Sequence, residues 1–244
     1  MKAYLVVFAI PVLTALAAFA YGRPAGAAEE VTQETRAATG FRRIEINGQV
    51  KVTLIQGATE GVTLEAPAAA LARIRTEVHG DTLVVDVAEA RSVWQWFSGR
   101  GAVRTAHITI RLRELERIEA AGAITLDVDR LRSKNLFLDF AGACTLRLAD
   151  LEATSLRLDA AGATKVEIGG KVARQRVDLS GASSYQAERL VSDEAIVDVS
   201  GAGKAVVNVS NSLAVDISGA GKVEYLGDPQ LRQSISGIGK VTRR

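Results

Sequence analysis

The chain has 244 residues, 24% of them charged, a formal net charge of +2 and a single cysteine, Cys144. That length suits one domain or one elongated array, and one cysteine excludes an intrachain disulfide framework. Removing residues 1–27, which read as a signal peptide, takes away Lys2 and Arg23 and brings the net charge to 0. A near-neutral chain lacks the net basic face of a nucleic-acid binder, so no nucleic-acid partner is expected.

In chain order, Lys2 is followed by an uncharged run from Ala3 to Ala20, and Ala25 and Ala27 fit a small-residue cleavage site. An uncleaved membrane anchor is the alternative, because the run is about long enough to span a bilayer. Residues 28–40 are polar and are expected to form a flexible leader. From Phe41 the chain alternates apolar and polar residues, as in Ile44-Glu45-Ile46-Asn47-Gly48 with Val52 and Leu54 beyond. Between residues 57 and 112 the pattern is irregular. Val62–Leu64 and Thr82–Val87 read as strands, His79-Gly80-Asp81 as a turn, Ala68–Ala72 as a helical turn and Ser92–Gly101 as a loop.

Residues 113–242 are a regular repeat. An apolar, acidic, apolar stretch runs into a glycine at Gly142, Gly162, Gly181, Gly201 and Gly219, with looser copies ending at Gly122 and Gly237, and the seven glycines are spaced 18 to 20 residues apart. A fixed period in this range marks a solenoid. Apolar residues two, four and six before each glycine, resuming four and six after it, give short strands with one buried face and a corner at the glycine. Such strands bury their faces only by stacking. No proline lies between Ala68 and Asp228 to interrupt the ladder. The expected fold is all-β, a single-stranded right-handed parallel β-helix of 18–20 residues per coil over residues 41–244.

The Phe41-Arg42-Arg43-Ile44 opening, the corners Ser200–Lys204 and Ser218–Lys222, and the Gly227-Asp228-Pro229 turn resemble the GIN-domain family, auto-transporter adhesin head domains of exported bacterial proteins. The resemblance covers roughly residues 41 to 243. It implies an exported β-helix and brings no catalytic residues. The corners at Gly122, Gly142 and Gly162 depart from the family pattern, with Ala-Gly-Ala in place of Ser-Gly.

Three outward features are candidates for function. The first is an acidic column three residues before each glycine: Asp139, Asp159, Asp178, Asp198 and Asp216. Carboxylates stacked about 5 Å apart repel by about 1 kcal/mol in water and about 3 kcal/mol at an effective dielectric of 20. They therefore need splayed side chains, cationic neighbours or bound cations. The nine-residue calcium repeat is absent, and no metal is assigned. The second is a column three residues after the glycine, with Lys165, Lys204, Lys222 and Lys240. It reads as solvated partners that relieve the acidic stripe and keep the strand surface from sticking to others. The third is the loop with Trp94, Trp96, Phe97 and Arg100, whose rings beside arginines suit sugar stacking or a protein interface.

Cys144, His79 and His107 read as structural or incidental. No cofactor is expected. The sequence points to a non-enzymatic exported scaffold for binding or adhesion at the cell envelope, whether periplasmic, outer-membrane-associated or extracellular. A glycan or a cell-envelope protein is the expected partner, and homo-oligomers are compatible with the surface. The alternatives are a polysaccharide-active lyase or hydrolase, which needs acids and bases clustered in a groove, and a self-assembling envelope structural protein.

Overall fold

The computed structural model describes residues 31–88 and 106–244. They form a β-solenoid of about six turns with mostly parallel strands. The N-terminal part comprises β1 (Val31–Arg36), β2 (Arg43–Gln56), β3 (Gly61–Pro67), the helical turn α1 (Ala68–Leu71), β4 (Ile74–His79), β5 (Thr82–Val87) and β6 (His107–Leu112). Then come the long coils β7 (Arg117–Gly142), β8 (Thr145–Gly162), β9 (Lys165–Gly181), β10 (Ser184–Gly201) and β11 (Lys204–Gly219). The stack closes with β12 (Lys222–Leu226), β13 (Gln230–Gly237) and β14 (Lys240–Arg243). The sheet order is β1-β3-β6-β2-β7-β8-β9-β10-β11-β12-β14, with β13 on β11, and β5 on β2 and β4.

β2 and the strands from β7 to β14 stack in parallel with glycine on glycine: Gly122 follows Gly48, Gly162 pairs with Gly142, and Gly237 with Gly219. The corner backbone is itself hydrogen-bonded from coil to coil, with the Ala182 N–H donating to Gly162 O at 2.9 Å and the Ala202 N–H to Gly181 O at 2.9 Å. Gly181 has φ +80, and a Cβ there would lie 2.7 Å from Gly162 O. The corner therefore excludes a side chain on two counts, conformation and space.

The interior consists of aligned apolar columns. Ile118, Leu138, Leu158, Val177, Val197 and Val215 face Leu126, Leu146, Val166, Tyr185, Ala205 and Val223 across the core, and all are buried. Removing this area from water is the dominant stabilising term. A short coil fits because β9 shifts register against β8 between Leu148 and Leu151. Gly170, at φ +116, makes that step where a Cβ would collide with the Leu151 backbone.

Strand pairing also continues around the second bend of the coil, beyond the two short strands expected. Arg130, Leu131, Arg132 and Ser133 pair with Asp150, Leu151, Glu152 and Ala153. Inward Leu131 and Leu151 are buried, while Arg130–Asp150 (3.2 Å) and Arg132–Glu152 (2.9 Å) bridge the rungs outside.

The flexible leader expected over 28–40 needs correction. Residues 31–36 form β1, antiparallel to β3 with Val31 opposite Pro67 and Arg36 opposite Val62. The reason lies far away in sequence. Arg36 donates through Nη1 to Ile74 O (2.6 Å) and Thr76 Oγ1 (3.1 Å), while Ala38 and Phe41 are buried. Antiparallel β1, β3 and β4 close this end of the stack, while β5 runs parallel to β2 and Gly80 (φ +64) turns the β4–β5 hairpin. The segment 1–27 and the Ser92–Gly101 loop lie outside the described residues.

Candidate functional site

Each coil presents its outer face in strict alternation, because successive residues of a strand point to opposite sides. Before each glycine, the residues one, three and five positions back face outward. The fifth position aligns Phe137, Arg157, Arg176, Ile196, Ala214 and Arg232 through the paired rungs. Arg43 and Arg117 pair in the same column. The third position is the acidic ladder, Asp139, Asp159, Asp178, Asp198 and Asp216, in continuous register.

The acidic ladder is neutralised by arginines, not by the lysines expected from the sequence. Each arginine spans its own coil and the next. Arg117 contacts Glu119 and Asp139; Arg157 contacts Asp159 (3.1 Å) and Asp178 (3.9 Å); Arg176 contacts Asp178 (3.3 Å) and Asp198 (2.6 Å). The Asp178 hydrogen bond, with Asp178 and Asp198 charges beside it, holds the Arg176 pKa above its usual value. Residues two apart on a strand share a face. The lysine column lies beyond the corner glycines, three residues after each.

There Lys165, Lys204 and Lys222 have their own acids. Lys165 pairs with Glu167 (2.7 Å), and Lys222 and Lys204 with Glu224 (2.6 and 3.6 Å), which Arg244 also meets at 2.8 Å. The Lys165 hydrogen bond lowers the Glu167 pKa, and the Lys222 hydrogen bond, with Arg244 and Lys204 nearby, lowers that of Glu224. Lys240 is exposed on the last coil, in register with Lys222.

The outer face also carries a groove of about 1100 Å³. Its walls are the start of β5, the 114–116 turn, and the second bends of β7 and β8 at 132–135 and 152–154. Phe137 stands in it with 40% of its surface exposed. Around the ring are Arg117, Arg132, Glu116, Glu119, Glu152 and Asn135, whose Oδ1 accepts from Ser155 Oγ at 2.7 Å. The sequence reading missed this site. The signal available was an aromatic residue in a column otherwise rich in arginine, masked there because Phe137 also looks like an ordinary strand residue.

A shallower trough of about 390 Å³ runs along the ladder, over Asp139, Asp159, Asp178, Asp198 and Asp216 with Ser180, Ser200 and Ser218 beside them. Among the described residues no group of three His, Cys, Asp or Glu is placed to hold a metal ion. His107 lies 2.9 Å from Thr53 Oγ1, and His79 lies 3.0 Å from Glu77. Cys144 is buried, and burial pushes its thiol pKa up, as for an unreactive side chain. Trp94, Trp96, Phe97 and Arg100 lie outside the described residues.

The solenoid matches solved structures closely in shape and weakly in sequence. A "putative adhesin" from Bacteroides fragilis NCTC 9343 superposes with TM-score 0.82 at 18% identity, covering 89% of this chain and 98% of that one. A "putative lipid binding protein" from Parabacteroides distasonis ATCC 8503 gives TM-score 0.65 at 15% identity over 89% and 98%. A "putative adhesin" from Parabacteroides merdae ATCC 43184 gives 0.63 at 14% over 89% and 97%. At these identities the likeness shows the fold alone. No curated protein matches the chain. The sequence pattern described as "Putative auto-transporter adhesin, head GIN domain" matches residues 40–229. With repeat, corner glycines and solenoid all in agreement, the chain belongs to this GIN-domain family.

Proposed function

We propose that the protein is an exported, non-enzymatic binding scaffold that works in adhesion or attachment at the cell envelope. The observation that carries this reading is the way its outer charges are spent on one another, rung by rung. Arg157 and Arg176 tie four aspartate contacts across three coils. Among the described residues, the two carboxylates with shifted pKa, Glu167 and Glu224, are shifted down by their cations. A general acid needs the opposite shift, upward through burial or a like charge. Such a surface is long, regular and rigid, and suits contact with an extended partner.

The family description supports the same reading, including export to the periplasm, outer membrane or exterior. A glycan or a cell-envelope protein is the proposed partner, and the Trp94–Arg100 segment is a proposed contact. The test is a glycan-array and pull-down screen on residues 28–244. Saturable binding that weakens in Trp94→Ala/Trp96→Ala, with the fold intact, supports the reading and the loop together. Binding retained in that variant removes the loop from it. Absence of any binding to envelope glycans or proteins overturns the whole reading.

A further inference from the structure

We propose that the groove around Phe137 binds a neutral oligosaccharide, with one sugar ring stacked on Phe137 and its hydroxyls held by the charged side chains of the groove walls. The proposal rests on the binding reading above and names a ligand class and a place for it.

The ring is the first argument. Its column carries Arg43 and Arg117 on one side and Arg157 and Arg176 on the other, all facing water. Phe137 takes an arginine's place at the last rung of the column that lines the concavity, after Arg43 and Arg117, so its exposed surface lies in a groove and not on a flat sheet. A single exposed apolar residue on a flat face needs no explanation. One inside a concave, otherwise polar site is the usual form of a ligand platform: apolar area with a few polar groups placed around it. A pyranose presents that combination in reverse, a C–H face bordered by hydroxyls.

The walls decide the ligand's charge. The groove holds Arg43, Arg117, Arg132 and Lys134 against Glu45, Glu114, Glu116, Glu119 and Glu152. Four cations face five carboxylates, so a polyanion gains no net attraction. A hydroxyl both donates and accepts, which suits guanidinium donors and carboxylate acceptors standing side by side. These groups are held in place by ion pairs already formed, Arg132 with Glu152 at 2.9 Å and Arg117 with Glu119 and Asp139. Preorganisation of this kind lowers the ordering cost of binding. An acyl chain finds little apolar lining, because Ile44 and Leu115 are each only 1% exposed.

The groove also has the length of a chain. Thr82, Arg43 and Arg117 sit on successive rungs, and Phe137 lies one coil further on, where its N–H donates to Glu116 O at 2.8 Å. Three steps of roughly 4.8 Å span about 14 Å along the axis, enough for a short oligosaccharide and more than one sugar needs.

The test measures binding of residues 28–244 to immobilised cellotetraose, chitotetraose and mannotetraose, with oligogalacturonate and phosphatidylcholine/phosphatidylglycerol vesicles alongside. Saturable binding to at least one neutral tetrasaccharide is expected. It should fall tenfold or more in Phe137→Ala and persist in Phe137→Trp. Ile196→Ala, in the same column but outside the groove, should leave it unchanged. If Phe137→Ala lowers the melting temperature markedly, Arg132→Ala on the exposed wall replaces it and should weaken binding equally. Neutral-sugar binding that survives both groove variants overturns the proposal. So does binding confined to oligogalacturonate or to vesicles, or no binding to any of these. Envelope fragments assayed with the same samples separate the two readings. If they still bind the groove variants, the scaffold reading stands and this one falls.

Discussion

Tyr185 is the residue at which the solenoid interior departs from plain hydrocarbon. Its hydroxyl donates to Gln175 Oε1 (2.8 Å), Gln175 Nε2 donates to Ser192 Oγ (2.7 Å), and Ser192 Oγ donates to Asn208 O (3.0 Å). All three side chains are buried, and burial pushes the Tyr185 pKa far up, so the phenol stays a neutral donor. Gln175 occupies a column that holds Leu156 and Ala195 on the adjacent rungs. Tyr185→Phe leaves the Gln175 oxygen without its donor and is expected to cost about 1–3 kcal/mol. Tyr185→Phe/Gln175→Leu should recover part of that loss. Chemical denaturation of the two variants checks both. This network was not legible in the sequence, because Tyr185 fitted the apolar alternation and Gln175 broke it without showing which partner it met.

The corner glycines were legible, since a fixed spacing of glycine has few physical causes. The second glycine of the later corners was visible too, but not its cause. Gly203, Gly221 and Gly239 follow two residues after the corner, where earlier coils place Ile124, Cys144, Thr164 and Ser183. A Cβ at Gly221 would lie 2.7 Å from Val199 Cγ1 and 3.1 Å from Ile217 Cγ2. The β-branched residue two before the corner has taken that space. Gly221→Ala should destabilise by about 1–3 kcal/mol through overpacking. Val199→Ala in the same chain should relieve the clash, so the pair is expected to be less than additive by thermal melting.

At the scale of the element, the arginine–aspartate ladder sets the surface of β7 to β11. Its rule is one arginine for two acids, and it stops at Ile196. Among the described residues, no ion pair reaches Asp216. Ile196→Arg continues the rule and should bridge Asp198 and Asp216. The expected gain is about 0.2–1 kcal/mol, as for an exposed pair, and it should shrink in high salt. Arg176→Ala should cost a similar amount and leave Asp178 facing Asp198. Melting both variants at low and high ionic strength checks the ladder. The acids were visible in the sequence because every coil carries one. The arginines were hidden because Phe137, Ile196 and Ala214 interrupt their column, and the lysines, in a column interrupted as often, drew the assignment.

The ends of the stack follow different rules from its middle. β1 is too polar to read as a strand, yet Arg36 fixes it by donating hydrogen bonds to α1 and β4. At the other end Glu224 gathers Lys204, Lys222 and Arg244, and Arg244 also reaches Glu188 at 2.9 Å. The cations lower the folded pKa of Glu224 below its unfolded value. The unfolded chain therefore takes up the proton first on acidification. The stabilisation is present in full above the ordinary glutamate value of about 4.3 and is lost as pH falls below it, toward the folded pKa. Wild type should thus lose stability relative to Glu224→Gln between about pH 5 and pH 3, with the variant already weakened at neutral pH. Thermal melts across that range check the sign.

For the whole molecule, the fold was legible because one period governs it: alternation sets the inside, glycine sets the corner, and stacking does the rest. Function was less legible because it depends on what breaks the period. Phe137 in an arginine column and the groove formed at the second bend appear only when the rungs are aligned in space. The central claim is that this surface binds and does not transform. The most direct measurement is mass analysis of each glycan that the chain captures, before and after prolonged incubation with it. The account predicts that every captured glycan is recovered at unchanged mass. A shortened, hydrated or unsaturated product from any of them would contradict it and make the protein an enzyme.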